Sequence, residues 1–102
     1  MAKPDYQSIL HDKLLHERTR LLILSYLLAK ENQHAAFMDV QKNLELTRGN
    51  LSIQAKKLQE AGYIDISKVF KNNKPLTTLY ITHEGIIALK KYLKELKQLL
   101  GK

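Results

Sequence analysis

The side chains best suited to chemistry lie in residues 44–62, LELTRGNLSIQAKKLQEAG. Arg48, Asn50, Ser52, Lys56 and Lys57 gather cations, an amide and a hydroxyl there, and no acidic residue falls between Glu45 and Glu60. Such groups suit a polyanion, because cations neutralise phosphates while amides and hydroxyls can bond to base edges. Leu51, Ala55 and Leu58 recur at i, i+4, i+7, which is one narrow apolar stripe for attaching a helix to a core. At about 100° per residue, Ser52, Ile53, Lys56 and Lys57 then face away from that stripe, with Asn50 near the leading end. An Asn50 amide can pair bidentately with an adenine edge, Ser52 with a base or a phosphate, and Arg48 with a phosphate or guanine. Lys56 and Lys57 suit phosphates, and Ile53 suits either a thymine methyl or packing against a neighbouring element. A charge cluster of this kind also occurs on ordinary solvated helix faces.

The elements that must position these groups follow from the flanking residues. Thr47 can cap a helix with its hydroxyl, and Gly62 can take the left-handed conformation that ends one, which predicts a helix over 48–61. After Gly62 the apolar period changes from helical to alternating. A strand is expected over 63–70 with Ile64 and Ile66 facing one way, and a second over 76–81 with Leu79 and Ile81 facing one way. Asn72-Asn73 between them tolerates the positive φ of a tight hairpin turn. Lys68, Lys71 and Lys74 decorate this hairpin, and no acid occurs from Ile66 to His83.

Upstream, residues 16–31 predict a helix with Ile23, Leu24 and Leu27 as its stripe and Arg20 at its start. Leu21, Leu22, Tyr26 and Leu28 place further apolar surface round it, which implies burial on most sides and a second chain to complete it. Residues 32–36 read as a polar connection, and 36–44 as a short helix carrying Phe37, Val40 and Leu44. Two helices joined by so short a turn, the second basic, form a helix-turn-helix signature. Thr82 and Glu84 open a last helix reaching about Leu100. In it Ile86, Leu89, Leu93, Leu96 and Leu100 are spaced 3, 4, 3, 4, an a/d seam that Ile87, Tyr92 and Leu99 broaden and that predicts a homodimer contact. Residues 1–15 are ambiguous: Pro4 and Asp5 could begin a helix with Ile9, Leu10 and Leu14 on one side.

Composition narrows the function classes. A chain of 102 residues, 44% hydrophobic, fits one domain spanning residues 1–102. Seventeen Lys and Arg against ten Asp and Glu give a formal charge of +7, which favours nucleic acid or an anionic surface as partner. With no cysteine there are no disulfides, thiolate metal sites or cysteine nucleophiles, and a reducing cytoplasm is the expected setting. The first residues lack a signal-peptide apolar region, and the longest apolar runs are too short to cross a membrane. No phosphate-binding glycine loop, paired glycine motif or H-E-x-x-H occurs. The histidines are His11, His16, His34 and His83; Asp12 and His16 sit at i, i+4, and such a pair is more often a local hydrogen bond than a metal site. The expectation is therefore a non-enzyme without cofactor or metal.

The full order is helix, helix, turn, basic helix, strand, basic hairpin, strand, long helix. With LLHERTRLLILSYL, LTRGNLSIQAKKLQEAGYI, FKNNKPLTTLYIT and HEGIIAL, the chain resembles small winged-helix transcriptional regulators of the broad MarR/ArsR-like superfamily. The resemblance covers most of the chain from Leu14 onward. It implies an α+β, mostly helical winged helix-turn-helix that binds double-stranded DNA, a near-palindromic operator, as a homodimer and often represses transcription. It places the recognition helix at about 48–61, the wing at about 63–81 centred on Asn72 and Asn73, and a dimerisation helix at about 83–100. DNA contacts are then expected from Arg48, Asn50, Ser52, Ile53, Lys56, Lys57, Lys68, Lys71, Asn72, Asn73 and Lys74. Dimer contacts are expected from Leu21, Leu22, Tyr26, Ile86, Leu89, Leu93, Leu96 and Leu100. The chain departs from metal-sensing relatives in having no cysteine, and from larger drug-sensing relatives in lacking extra dimerisation helices. The competing class is a winged-helix interaction module whose basic face meets an acidic protein. RNA binding fits less well, since Tyr63, Phe70 and Tyr80 are scattered and expected to serve the core.

Overall fold

Three of the helices begin where a side chain satisfies the backbone, and the third helix ends on a glycine. The computed structural model describes residues 17–101. In chain order these form α1 (Arg18–Ala29), β1 (His34–Ala36), α2 (Phe37–Asn43), α3 (Arg48–Glu60), β2 (Ile64–Lys71), β3 (Lys74–Ile81) and α4 (His83–Leu99). Glu17 caps α1 by accepting the Arg20 amide at 3.0 Å. Burial pushes the Glu17 carboxyl up, but hydrogen bonds from Arg20 and Thr19 and the Arg20 charge outweigh this and hold it below its ordinary value. Thr47 accepts from the Asn50 amide at 3.0 Å to open α3, and Thr82 accepts from the Gly85 amide at 3.0 Å to open α4.

The end of α3 is a Schellman closure. Gly62 takes φ +81°, its amide donates to the Gln59 carbonyl and the Tyr63 amide to the Leu58 carbonyl, both at 2.9 Å. The β2–β3 turn has Asn72 at φ 53° and Asn73 at φ 62°, with Lys71 opposite Lys74. Two left-handed residues in a two-residue loop match the right-handed twist of the flanking strands.

The sheet is antiparallel in the order β1-β3-β2. β1 corrects the expectation of a polar connection over 32–36. Its three residues pair His34 with Tyr80, Ala35 with Leu79 and Ala36 with Thr78. Nothing in so short a segment signals a strand locally. It is one because the second edge of β3 supplies partners for its backbone.

One apolar core joins the elements. α1 contributes Ile23, Leu24 and Leu27, α2 Val40, and α3 the expected Leu51, Ala55 and Leu58. Ala35, Ile64, Leu79 and Ile81 come from the sheet, and Leu89 and Tyr92 from α4. Leu89 corrects the dimer-seam expectation: it is 0% exposed within the protomer's own core, and Ile86 packs on the same core. A 3-4 repeat looks the same whether the stripe meets a partner or its own domain. Among the seam residues, Leu93 and Leu100 remain exposed and Leu96 half-buried, and Ile87 is exposed on another side of the helix.

The apolar excess of α1 is also largely answered within the protomer. Leu21, Tyr26 and Leu28 pack against the core, and Leu22 is half-buried. The Tyr26 hydroxyl accepts from Asn43 Nδ2 at 3.1 Å, and the Lys30 ammonium stands 4.6 Å from its ring centroid. The possible N-terminal helix and the Asp12/His16 pair lie outside the described residues.

Gly85 is buried where α4 crosses the start of β2. A methyl group there would collide with the Tyr63 carbonyl and press on Ile81. Because the obstacle is backbone, the helix must move. Gly85→Ala should cost about 1–3 kcal/mol or more, read as a lower urea midpoint at unchanged m-value. An unaltered midpoint would show that α4 does not sit against β2 this closely.

Candidate nucleic-acid interface

The core stripe of α3 sets which of its side chains are free. With Leu51, Ala55 and Leu58 turned inward, Arg48, Ser52, Lys56 and Lys57 are exposed, and Ile53 is 57% exposed. Thr47 starts the helix at the point that leaves Arg48 in its first turn.

The hairpin supplies the second wall. Register places Ile64 opposite Ile81, Ile66 opposite Leu79, Lys68 opposite Thr77 and Phe70 opposite Pro75. By the two-residue strand period these pairs share one face. That face turns toward α3: Ile66, Lys68, Thr77 and Leu79 line one groove with Arg48, Ser52 and Lys56. The groove encloses about 410 Å³ and is open to solvent along its length. Arg48, Ser52, Lys56 and Lys68, from two separate stretches of chain, are thus brought together.

Residues 68–75 are all exposed, because the hairpin outruns the body of the domain. Lys71, Asn72, Asn73 and Lys74 form its tip, away from the groove floor. Lys71 and Lys74 are direct cross-strand partners. Like charges in that position repel, and an anion between them would remove the repulsion. Phe70 corrects the expectation that it serves the core: it is 80% exposed, on the strand face that also carries Lys68. Tyr80 is also 39% exposed and lies against the His34 ring, centroids 4.8 Å apart, while Tyr63 packs on the core as expected.

Asn50 differs from its neighbours. It is half-buried on the side of α3 that faces α1, and its Oδ1 accepts from Gln54 Nε2 at 3.3 Å. Gln54 Oε1 accepts from Arg20 Nη1 at 2.7 Å, and Arg20 is only 9% exposed. Arg20 and Gln54 were not expected at the site. The available signals were an arginine on an otherwise apolar stripe and an amide one turn after another amide. Among the described residues there is no group of three His, Asp or Glu able to hold a metal, and no helix is long and apolar enough to cross a membrane.

The chain is similar to known proteins in sequence and fold. Residues 19–100 match the model of a family described as winged helix DNA-binding domain. The chain is 33% identical over 87 residues to an uncharacterized protein of Methanocaldococcus jannaschii, covering 85% of this chain and 92% of that one. A solved transcriptional regulator homologue from Pyrococcus horikoshii OT3 superposes with a TM-score of 0.85 at 32% identity, over 93% of this chain and 92% of that one. Sco3205, a MarR family transcriptional regulator from Streptomyces coelicolor solved in complex with DNA, reaches a TM-score of 0.69 at 17% identity. The match covers 85% of this chain and 60% of that one, and at such identity it is a likeness of fold.

Proposed function

We propose, from the premise that this chain belongs to the winged helix DNA-binding domain family, that it is a sequence-specific regulator of transcription. In this reading it acts as a homodimer on a near-palindromic operator. The observation that carries the reading is the groove in which Arg48, Ser52 and Lys56 of α3 meet Lys68 of the hairpin. A helix of thirteen residues is about 20 Å long and fits a major groove about 12 Å wide. Ser52 and Ile53 on its outer face meet base edges, Arg48 a guanine or phosphate, and Lys56 and Lys57 phosphates. Lys68, Lys71, Asn72, Asn73 and Lys74 follow the adjoining backbone. Repression is the action that the superfamily resemblance favours, since a protein seated on an operator excludes others from it.

The homodimer rests on α4. Its exposed Leu93 and Leu100 and half-buried Leu96 and Leu99 form an apolar face toward the C-terminal end, beyond the contacts of Leu89 with the core. A two-fold copy covering this face would set two α3 helices against half-sites about one turn of DNA apart.

Two measurements test these readings. Replacing both Lys71 and Lys74 with Ala should weaken binding to all duplexes alike and flatten the slope of log K against log salt by about 0.9 per lost phosphate contact. An unchanged slope would remove the hairpin tip from the interface, and no duplex binding at low salt would favour an acidic protein as the partner. Leu93→Lys combined with Leu100→Lys changes only residues exposed in the protomer. The pair should turn a dimer into a folded monomer by sedimentation, whereas a wild type already monomeric at roughly tens of micromolar would refute the dimer.

A further inference from the structure

We propose that Arg20 and Gln54 are specificity-determining residues: they fix the polarity of Asn50 so that it presents amide donors, and selects guanine rather than adenine. The proposal rests on the reading of α3 as a major-groove helix. It begins from the one group in the chain of contacts whose polarity is not adjustable. A guanidinium has donors only. Because Arg20 Nη1 lies 2.7 Å from Gln54, the atom it meets must be the carbonyl Oε1. The other end of the Gln54 amide is then Nε2, a donor, and the atom of Asn50 that it meets at 3.3 Å must be Oδ1. The Asn50 backbone is held in the first turn of α3 by the Thr47 cap, and its side-chain polarity by the bond to Gln54.

The consequence lies in what remains for DNA. With Oδ1 turned back onto Gln54, the group directed away from it is the Nδ2 amide. Two donors match the O6 and N7 acceptors of guanine. Adenine pairs with an asparagine through one donor and one acceptor, and the acceptor here is turned the wrong way. Arg20 is 9% exposed, and its short bond to Gln54 is made by a charged donor, which strengthens it relative to a neutral pair. Neither Arg20 nor Gln54 needs to touch DNA for this effect; both act through Asn50.

Selection of duplexes from a random library by the wild type, Asn50→Ala and Gln54→Glu tests the proposal. The position whose preference disappears in Asn50→Ala should be guanine in the wild-type site. In Gln54→Glu the carboxylate keeps the Arg20 bond but offers Asn50 only an acceptor. Asn50 must then turn over, direct Oδ1 outward, and shift that one position from guanine to adenine by about ten-fold or more. The rest of the site and the salt slope should stay as they are, which a merely structural defect would not produce. Adenine at the Asn50-dependent position of the wild type, or guanine retained in Gln54→Glu, overturns the proposal, as does a site unchanged in Asn50→Ala. The first and last of these outcomes need no Gln54 variant, so they stand even if Gln54→Glu folds poorly. A wild type that binds duplexes but selects no sequence overturns the proposal together with the reading of α3 beneath it.

Discussion

Four elements of this fold meet at one hydrogen-bonded junction, and the geometry of the groove depends on it. Thr82 Oγ1 donates to the Gly62 carbonyl at 2.6 Å and accepts from the Gly85 amide at 3.0 Å. The Thr82 amide donates to the Tyr63 carbonyl at 3.0 Å. Gly85 lets α4 come against that same carbonyl. The last residues after α3, the start of β2, the end of β3 and the start of α4 are therefore held within a few bonds of one another. This junction sets the angle at which the hairpin leaves α3, and so brings Lys68 into one groove with Arg48, Ser52 and Lys56.

The division of labour within α3 follows from how little of it the core needs. Three small or branched apolar residues attach it, which leaves three sides for other work. One side faces the hairpin, one faces solvent with Ile53 and the lysines, and one faces α1 through Asn50, Gln54 and Arg20. α1 thus does more than supply apolar surface, since it also reaches the polar edge of the helix that presents Asn50. α4 divides in the same manner: Leu89 and Tyr92 close the core, and the turns beyond them carry apolar residues that the protomer leaves exposed or half-covered.

What was legible in the sequence was local. Thr47, Gly62, Thr82 and the Asn72-Asn73 pair mark caps and turns by their own chemistry, and each does so in the structure. The apolar stripe of α3 was legible because a 3.6-residue period needs no knowledge of what covers it. The misreadings were non-local. β1 is a strand only because β3 has a free edge. Phe70 is exposed because the hairpin is longer than the body behind it, and hydrophobicity alone cannot report that. Leu89 joined a regular seam whose members divide between two environments once α4 is docked. The bonds that orient Asn50 were not legible either, because the chain they form runs through Gln54 to Arg20, thirty-four positions before Gln54.

The central claim is that α3 and the groove-facing side of the hairpin form one surface for duplex DNA. Amide chemical-shift mapping of the protein against a duplex it binds tests this most directly. The account predicts that the large shifts fall on residues 48–57 and 68–74, while β1 and the core positions of α1 change little. Shifts concentrated on the exposed apolar end of α4 or on the β1 edge, with 48–57 unaffected, would contradict it.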